Sequence, residues 1–223
     1  SPCLPMITRR QITCSILSLL LLSSCTLTDS GTPQRVVQVK ALGDLKLREE
    51  NPRWVEEVRG LIEAASDYFE REFGIRFVTQ TVAPWPLKDR IPSTPALMSR
   101  VKAEVPLKDP GGSYDLVIVF TGERVNVYVG GRARVDRIGD CRQGLGNYLV
   151  SSVSGPFYYR GPNAEPEMDV VALIHELGHI FGAEHIQDIG SIMNENFDYR
   201  TEFDKKNRAI IFKNKFCPFG KGG

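Results

Sequence analysis

Eleven residues constrain this chain more than any other stretch: His175-Glu176-Leu177-Gly178-His179-Ile180-Phe181-Gly182-Ala183-Glu184-His185. They read H-E-x-x-H-x-x-G-x-x-H and contain all three histidines of the sequence. On a helix, residues four apart share a face, so His175 and His179 aim their imidazoles at a common point that suits a zinc ion. Glu176 sits beside that face. The spacing makes it a poor third ligand but lets it reach a zinc-bound water, which makes it the natural general base. If His185 is to fold back to the same metal, the helix must stop quickly, and Gly182 is the residue type that tolerates the left-handed turn required. Three neutral imidazoles leave the fourth position open for water, as in a catalytic rather than a structural zinc site.

His175 to His185 resembles the zinc-binding signature of the metzincin metalloendopeptidases. That family also places a methionine turn beneath the metal after the third histidine. Ser191-Ile192-Met193-Asn194 fits the turn, and the resemblance makes Met193 its methionine.

The N-terminus is read apart from the fold. Met6 to Arg10 is a basic start, Ile12 to Leu22 is mostly apolar, and small residues lead to Cys25, so residues 1–25 read as an export signal. The apolar part is short for a bilayer span of about 20 residues. Its ending, Leu22-Ser23-Ser24-Cys25, resembles a bacterial lipobox, which implies a lipid on Cys25 and an envelope location. A plain secretory signal and an uncleaved anchor are the alternatives. Removing residues 1–24 takes Arg9 and Arg10 and no acid, leaving 26 of the 28 basic residues against 27 acidic ones. No strong field points to nucleic acid. Of five cysteines, Cys141 and Cys217 remain, as one disulfide or as two free buried thiols.

Residues 26–35 read as a tether and 36–223 as one domain. Val36 to Val39 is a first strand, and Asn51-Pro52 caps a long core helix that runs to Gly74, with apolar residues from Trp54 to Phe73. Ile75 to Val82 is a strand, and Ala83 to Pro95 a surface loop with four prolines and a tryptophan. Ala96 to Val105 is a helix, Asp109 to Gly112 a turn, and Leu116 to Phe120 a strand buried on both faces. Val125 to Val129, Gly131 to Ile138 and Asn147 to Val153 read as edge strands. Pro156 to Pro166 is a loop with an aromatic hairpin arm at Phe157-Tyr158-Tyr159, leading to a buried zinc helix from about Pro166 or Glu167. Phe203-Asp204 caps a last helix, Lys205 to Phe216, with Ala209, Phe212 and Phe216 on its apolar side.

This order is the one that the metzincin fold implies: an α+β domain with a mixed twisted sheet, an antiparallel edge strand, long core helix, zinc helix, Met-turn and C-terminal helix. Phe120-Thr121-Gly122, Gly131-Arg132-Ala133 running to Cys141, and Gly146 to Val150 resemble the adamalysin or reprolysin branch. That branch implies a disulfide between Cys141 and Cys217. Ile186 departs from it, standing where an acidic residue usually follows the third histidine.

The function implied is a Zn2+-dependent endopeptidase with His175, His179 and His185 as ligands and Glu176 activating the water. Its expected partners are a protein or peptide substrate laid along the edge strand and a membrane reached through lipidated Cys25, with the domain a monomer. Arg132, Arg134 and Arg137 on that strand either favour acidic substrates or are solvated edge charges. The alternative function is a non-catalytic, zinc-containing envelope lipoprotein that binds a partner.

Overall fold

The computed structural model describes residues 34–87, 89–125, 131–196 and 202–220, all within the compact unit Thr32–Gly223. The export segment, Cys25 and most of the tether lie outside the described residues, as do residues 126–129 of the strand expected at Val125 to Val129. No helix among the described residues is long and apolar enough to cross a membrane.

Strand β1 (Arg35–Gly43) begins at the last residue assigned to the tether and is longer than expected. Asp44 then turns the chain into a short helix that the sequence did not reveal, α1 (Leu45–Glu50), its Oδ1 accepting from the Leu47 N–H at 2.8 Å. Asn51 therefore closes α1 instead of capping the long helix: its own N–H bonds to the Leu47 carbonyl at 3.0 Å. The long helix α2 (Trp54–Phe73) starts beyond Pro52 and stops at Gly74, as its periodicity predicts, although Val55 faces solvent. The remaining elements are β2 (Ile75–Pro84), α3 (Thr94–Glu104), β3 (Lys108–Asp109), β4 (Gly112–Ser113), β5 (Leu116–Thr121), β6 (Ala133–Val135), β7 (Tyr148–Ser152), α4 (Met168–Ile180) and α5 (Lys205–Asn214).

The main sheet has the order β2-β1-β5-β7-β6, parallel throughout except for β6, which runs antiparallel to β7 at the edge. All six residues of β5 are buried. Alternation explains this: Leu116, Ile118 and Phe120 face the layer of α2 and α4, while Val117 and Val119 face the α3 layer. Tyr148 to Ser152 is also buried throughout, so β7 is an interior strand and not the edge strand expected. The edge strand beside it, β6, is only three residues long.

Three further expectations are corrected. Trp85 is 1% exposed, because its loop folds back over the α3 face with Leu87 and the indole N–H donates to Glu104 at 3.1 Å. Prolines made that stretch look like surface, but they shape its path without deciding its burial. No hairpin forms at residues 157–159; Phe157 enters the core while Tyr158 and Tyr159 point outward. On α5, Ala209, Phe212 and Phe216 are exposed, and the buried side is Asn207, Ile211 and Asn214. Beside the buried Ile211, side-chain amides dock that helix. Asn207 accepts from the Glu184 N–H at 2.9 Å and donates to the Glu184 carbonyl at 3.0 Å, and Asn214 donates to the Phe181 carbonyl at 3.0 Å.

Cys141 and Cys217 form a disulfide with Cα atoms 5.0 Å apart. It ties the segment after β6 to the end of α5, closing a sequence separation of 76 residues. Loop-closure entropy places its contribution at about 4 to 5 kcal/mol.

Trp85→Ala is expected to lower the unfolding free energy by about 3–5 kcal/mol, measured by urea denaturation; a loss below about 1 kcal/mol would contradict the burial. Asn207→Ala, which strips both bonds from Glu184, should cost about 1–3 kcal/mol in the same assay.

Candidate metal centre

Helix α4 is buried along nearly its whole length from Val170 to Ile180, which holds its side chains in one orientation against α2 and the sheet. On it, His175 and His179 stand one turn apart and are 2% and 5% exposed. The chain leaves the helix at Phe181 and reverses at Gly182, whose φ is 95°. An added Cβ there would also lie 2.4 Å from the Asn214 amide and 2.5 Å from the Gly139 carbonyl, so both conformation and space demand glycine. The reversal brings His185 back to the helix face.

The three Nε2 atoms converge, with separations of 3.1 Å (His175 to His179), 3.1 Å (His179 to His185) and 3.2 Å (His175 to His185). The opposite nitrogens are all committed. His175 Nδ1–H donates to the Ile192 carbonyl at 2.6 Å and His179 Nδ1–H to the Ala183 carbonyl at 2.6 Å, while His185 Nδ1 lies 3.0 Å from a Glu195 carboxylate oxygen. Burial, helped by the neighbouring His179, pushes His175 down to about 3, and burial takes His179 down to about 4, so both rings stay neutral. Three bare lone pairs this close repel one another unless a cation accepts them. Zinc held by imidazoles at about 2.0–2.1 Å in a tetrahedral arrangement needs its nitrogens about 3.3 Å apart, which these separations meet. The three histidines could therefore hold such an ion.

Glu176 is 9% exposed, and burial pushes its carboxyl up to about 8. The Arg134 guanidinium and the Val135 N–H, both on edge strand β6, act in the opposite direction. Edge strand and zinc helix thus meet at this carboxylate. The other arginines of the edge are engaged: Arg132 pairs with Asp169 at 3.0 Å, and Arg137 with Asp136 at 3.3 Å.

Met193 is fully buried beneath the helix. Gly178 makes room for it, since a Cβ there would lie 3.0 Å from the methionine sulfur and 2.8 Å from the Phe203 ring. The same turn grips Ile186 by both backbone groups: its N–H donates to the Met193 carbonyl at 3.1 Å, and its carbonyl accepts from the Asn194 amide at 3.0 Å. With Asn207 on Glu184, the residues on both sides of His185 are held. Asn194 and Asn207 carry no periodic or motif signal, and sequence reasoning did not find these roles. Nor did it find Glu195.

Two comparisons bear on this arrangement. The family model described as metallo-peptidase family M12B, reprolysin-like, matches residues 55–186, from the start of α2 to just past the third histidine and more than half of the chain. Among solved structures, archaemetzincin from Methanopyrus kandleri aligns over 80% of this chain and 95% of its own, at 15% identity and a TM-score of 0.55. A chain in a structure described as a chaperone-substrate complex aligns over 81% of this chain but 34% of its own, at 10% identity and a TM-score of 0.54. At such identities the likeness is one of fold. No curated protein matches the chain. The family match, the metzincin-type fold and the three converging imidazoles together establish that this chain belongs to the reprolysin-like M12B metallopeptidase family and is a zinc metalloendopeptidase.

Proposed function

We propose that His175, His179 and His185 are the zinc ligands, that Glu176 is the general base, and that the enzyme cleaves peptide bonds of exported proteins or peptides at the bacterial cell envelope, tethered through Cys25. The observation that carries the catalytic part is the convergence of three Nε2 atoms within 3.2 Å beside a buried carboxylate on the same helix. The basic, apolar and small-residue order of residues 6–25 supports the location.

When bound, zinc supplies a Lewis acid that polarises a peptide carbonyl and lowers the pKa of coordinated water toward about 7. The chain's own residues do the rest. Glu176 takes a proton from the attacking water as oxygen bonds to the carbonyl carbon, then delivers it to the amide nitrogen as the C–N bond breaks. No nucleophilic side chain is required. Burial makes this carboxylate more basic, which favours its taking the proton from the water. An extended substrate would lie along β6, the edge strand that meets Glu176. The Met193 turn would serve as a floor that keeps the imidazoles from sinking into the core.

Glu176→Ala should lower the kcat for peptide or casein hydrolysis by about 10²–10⁴-fold while zinc content, measured by atomic absorption, stays at wild-type level. Equal turnover in the mutant would remove the mechanism. Zinc at about 100 times its dissociation constant should stabilise the fold by about 2.7 kcal/mol. At about 2–4 °C per kcal/mol this raises the melting temperature by roughly 5–11 °C, reversibly on chelation. A melting curve indifferent to zinc and chelator would speak against the ligand set.

A further inference from the structure

His185 is held differently from its two partners. His175 and His179 are buried and give their Nδ1–H groups to backbone carbonyls, acceptors that come with the fold whatever the side chain. The His185 side chain is 45% exposed and its Nδ1 lies 3.0 Å from a Glu195 carboxylate oxygen that is itself on the surface. The bonds from Asn207 to Glu184 and from Asn194 and Met193 to Ile186 fix the backbone on either side of His185. They do not fix the rotation of its ring.

We propose that Glu195 is a positioning residue for the third ligand. Its carboxylate accepts from His185 Nδ1–H, sets the ring so that Nε2 faces the other two nitrogens, and makes that Nε2 a stronger donor to the metal. The proposal rests on the reading of the three histidines as a zinc site. Glu195 stands two residues after Met193, so the turn that grips Ile186 also presents this carboxylate to the neighbouring imidazole. Backbone clamp and ring clamp belong to one loop.

An exposed ion pair or hydrogen bond contributes little to folding by itself. A carboxylate on the outer nitrogen of a metal-binding histidine contributes to metal affinity, by about 10- to 100-fold where such partners have been removed. This contrast separates a role toward the metal from a role in the fold. Glutamine keeps an acceptor oxygen without the charge, and alanine keeps neither.

The test uses the full chain and zinc alone, titrated in competition with the chromophoric chelator 4-(2-pyridylazo)resorcinol, for the wild type, Glu195→Gln and Glu195→Ala. The wild type should take up one equivalent of zinc. Its dissociation constant should rise by about 10- to 100-fold in Glu195→Ala and by less in Glu195→Gln, with melting temperatures of the metal-free proteins unchanged. An alanine variant within twofold of the wild type would overturn the assignment and leave the three-histidine site standing. A loss of affinity accompanied by an equal fall in metal-free stability would overturn it too, by making Glu195 a residue of the fold. A wild type that takes up no zinc would sink both the assignment and the site on which it rests.

Discussion

Three imidazole lone pairs have to face one point, and each ring can do so only if its other nitrogen is spoken for. The carbonyls that do this for the buried pair lie at Ile192, the residue before the buried methionine, and at Ala183, inside the reversal after α4. The orientation of His175 and the position of the Met193 turn are therefore a single constraint, as are the orientation of His179 and the course of the chain beyond Gly182. Neutral rings at this depth cost little, whereas charged ones would cost several kcal/mol in desolvation, which is why burial holds both rings unprotonated.

Much of the molecule serves to keep those short stretches still. The α2 layer and the sheet enclose α4, and α5 holds the reversal from the other side. The choice of amides on α5 follows from what they meet. A chain that leaves a helix and doubles back exposes carbonyls and N–H groups that lack helical partners. An apolar face packed there would leave them unsatisfied; Asn207 and Asn214 satisfy three of them while still filling space. Asp204 completes the arrangement, since it caps α5 through the Asn207 N–H and accepts from the Asn207 amide and from Ser191 at the head of the Met193 turn.

This division explains which features could be read from the sequence. The zinc motif, α2, β5 and the αL stop at Gly74 are local patterns of period, run or cap, and each lies where its pattern puts it. The mixed sheet and its antiparallel edge strand follow from the resemblance, not from any local signal, and the order of the ladder has no sequence signal at all. Trp85 and the buried side of α5 were misread for a common reason: burial was inferred from apolarity and exposure from prolines or amides. Asn207 lies 23 residues from the backbone it grips, and a polar residue whose partner is a distant peptide group leaves no periodic trace. Helix α1 is too short for a period to show, and its one local signal, the Asp44 cap, is half absorbed by Thr121 and Gly122 at the end of β5.

Two glutamates are buried among the described residues, and their surroundings separate their roles. Glu57 on α2 accepts from the Asn51 amide on one oxygen and from the Phe157 N–H at 3.0 Å on the other, so both ends of its carboxylate are spent tying the loop after β7 to the core. Burial raises its pKa as well, but a carboxylate bonded at both oxygens to the surrounding chain is committed to the fold. Glu176 is met on one side by a single edge-strand N–H and by the field of Arg134. It stands on the helix that carries two of the converging imidazoles. A raised carboxyl pKa is common to both residues and so does not separate them; a place on the helix that carries two of the converging imidazoles does.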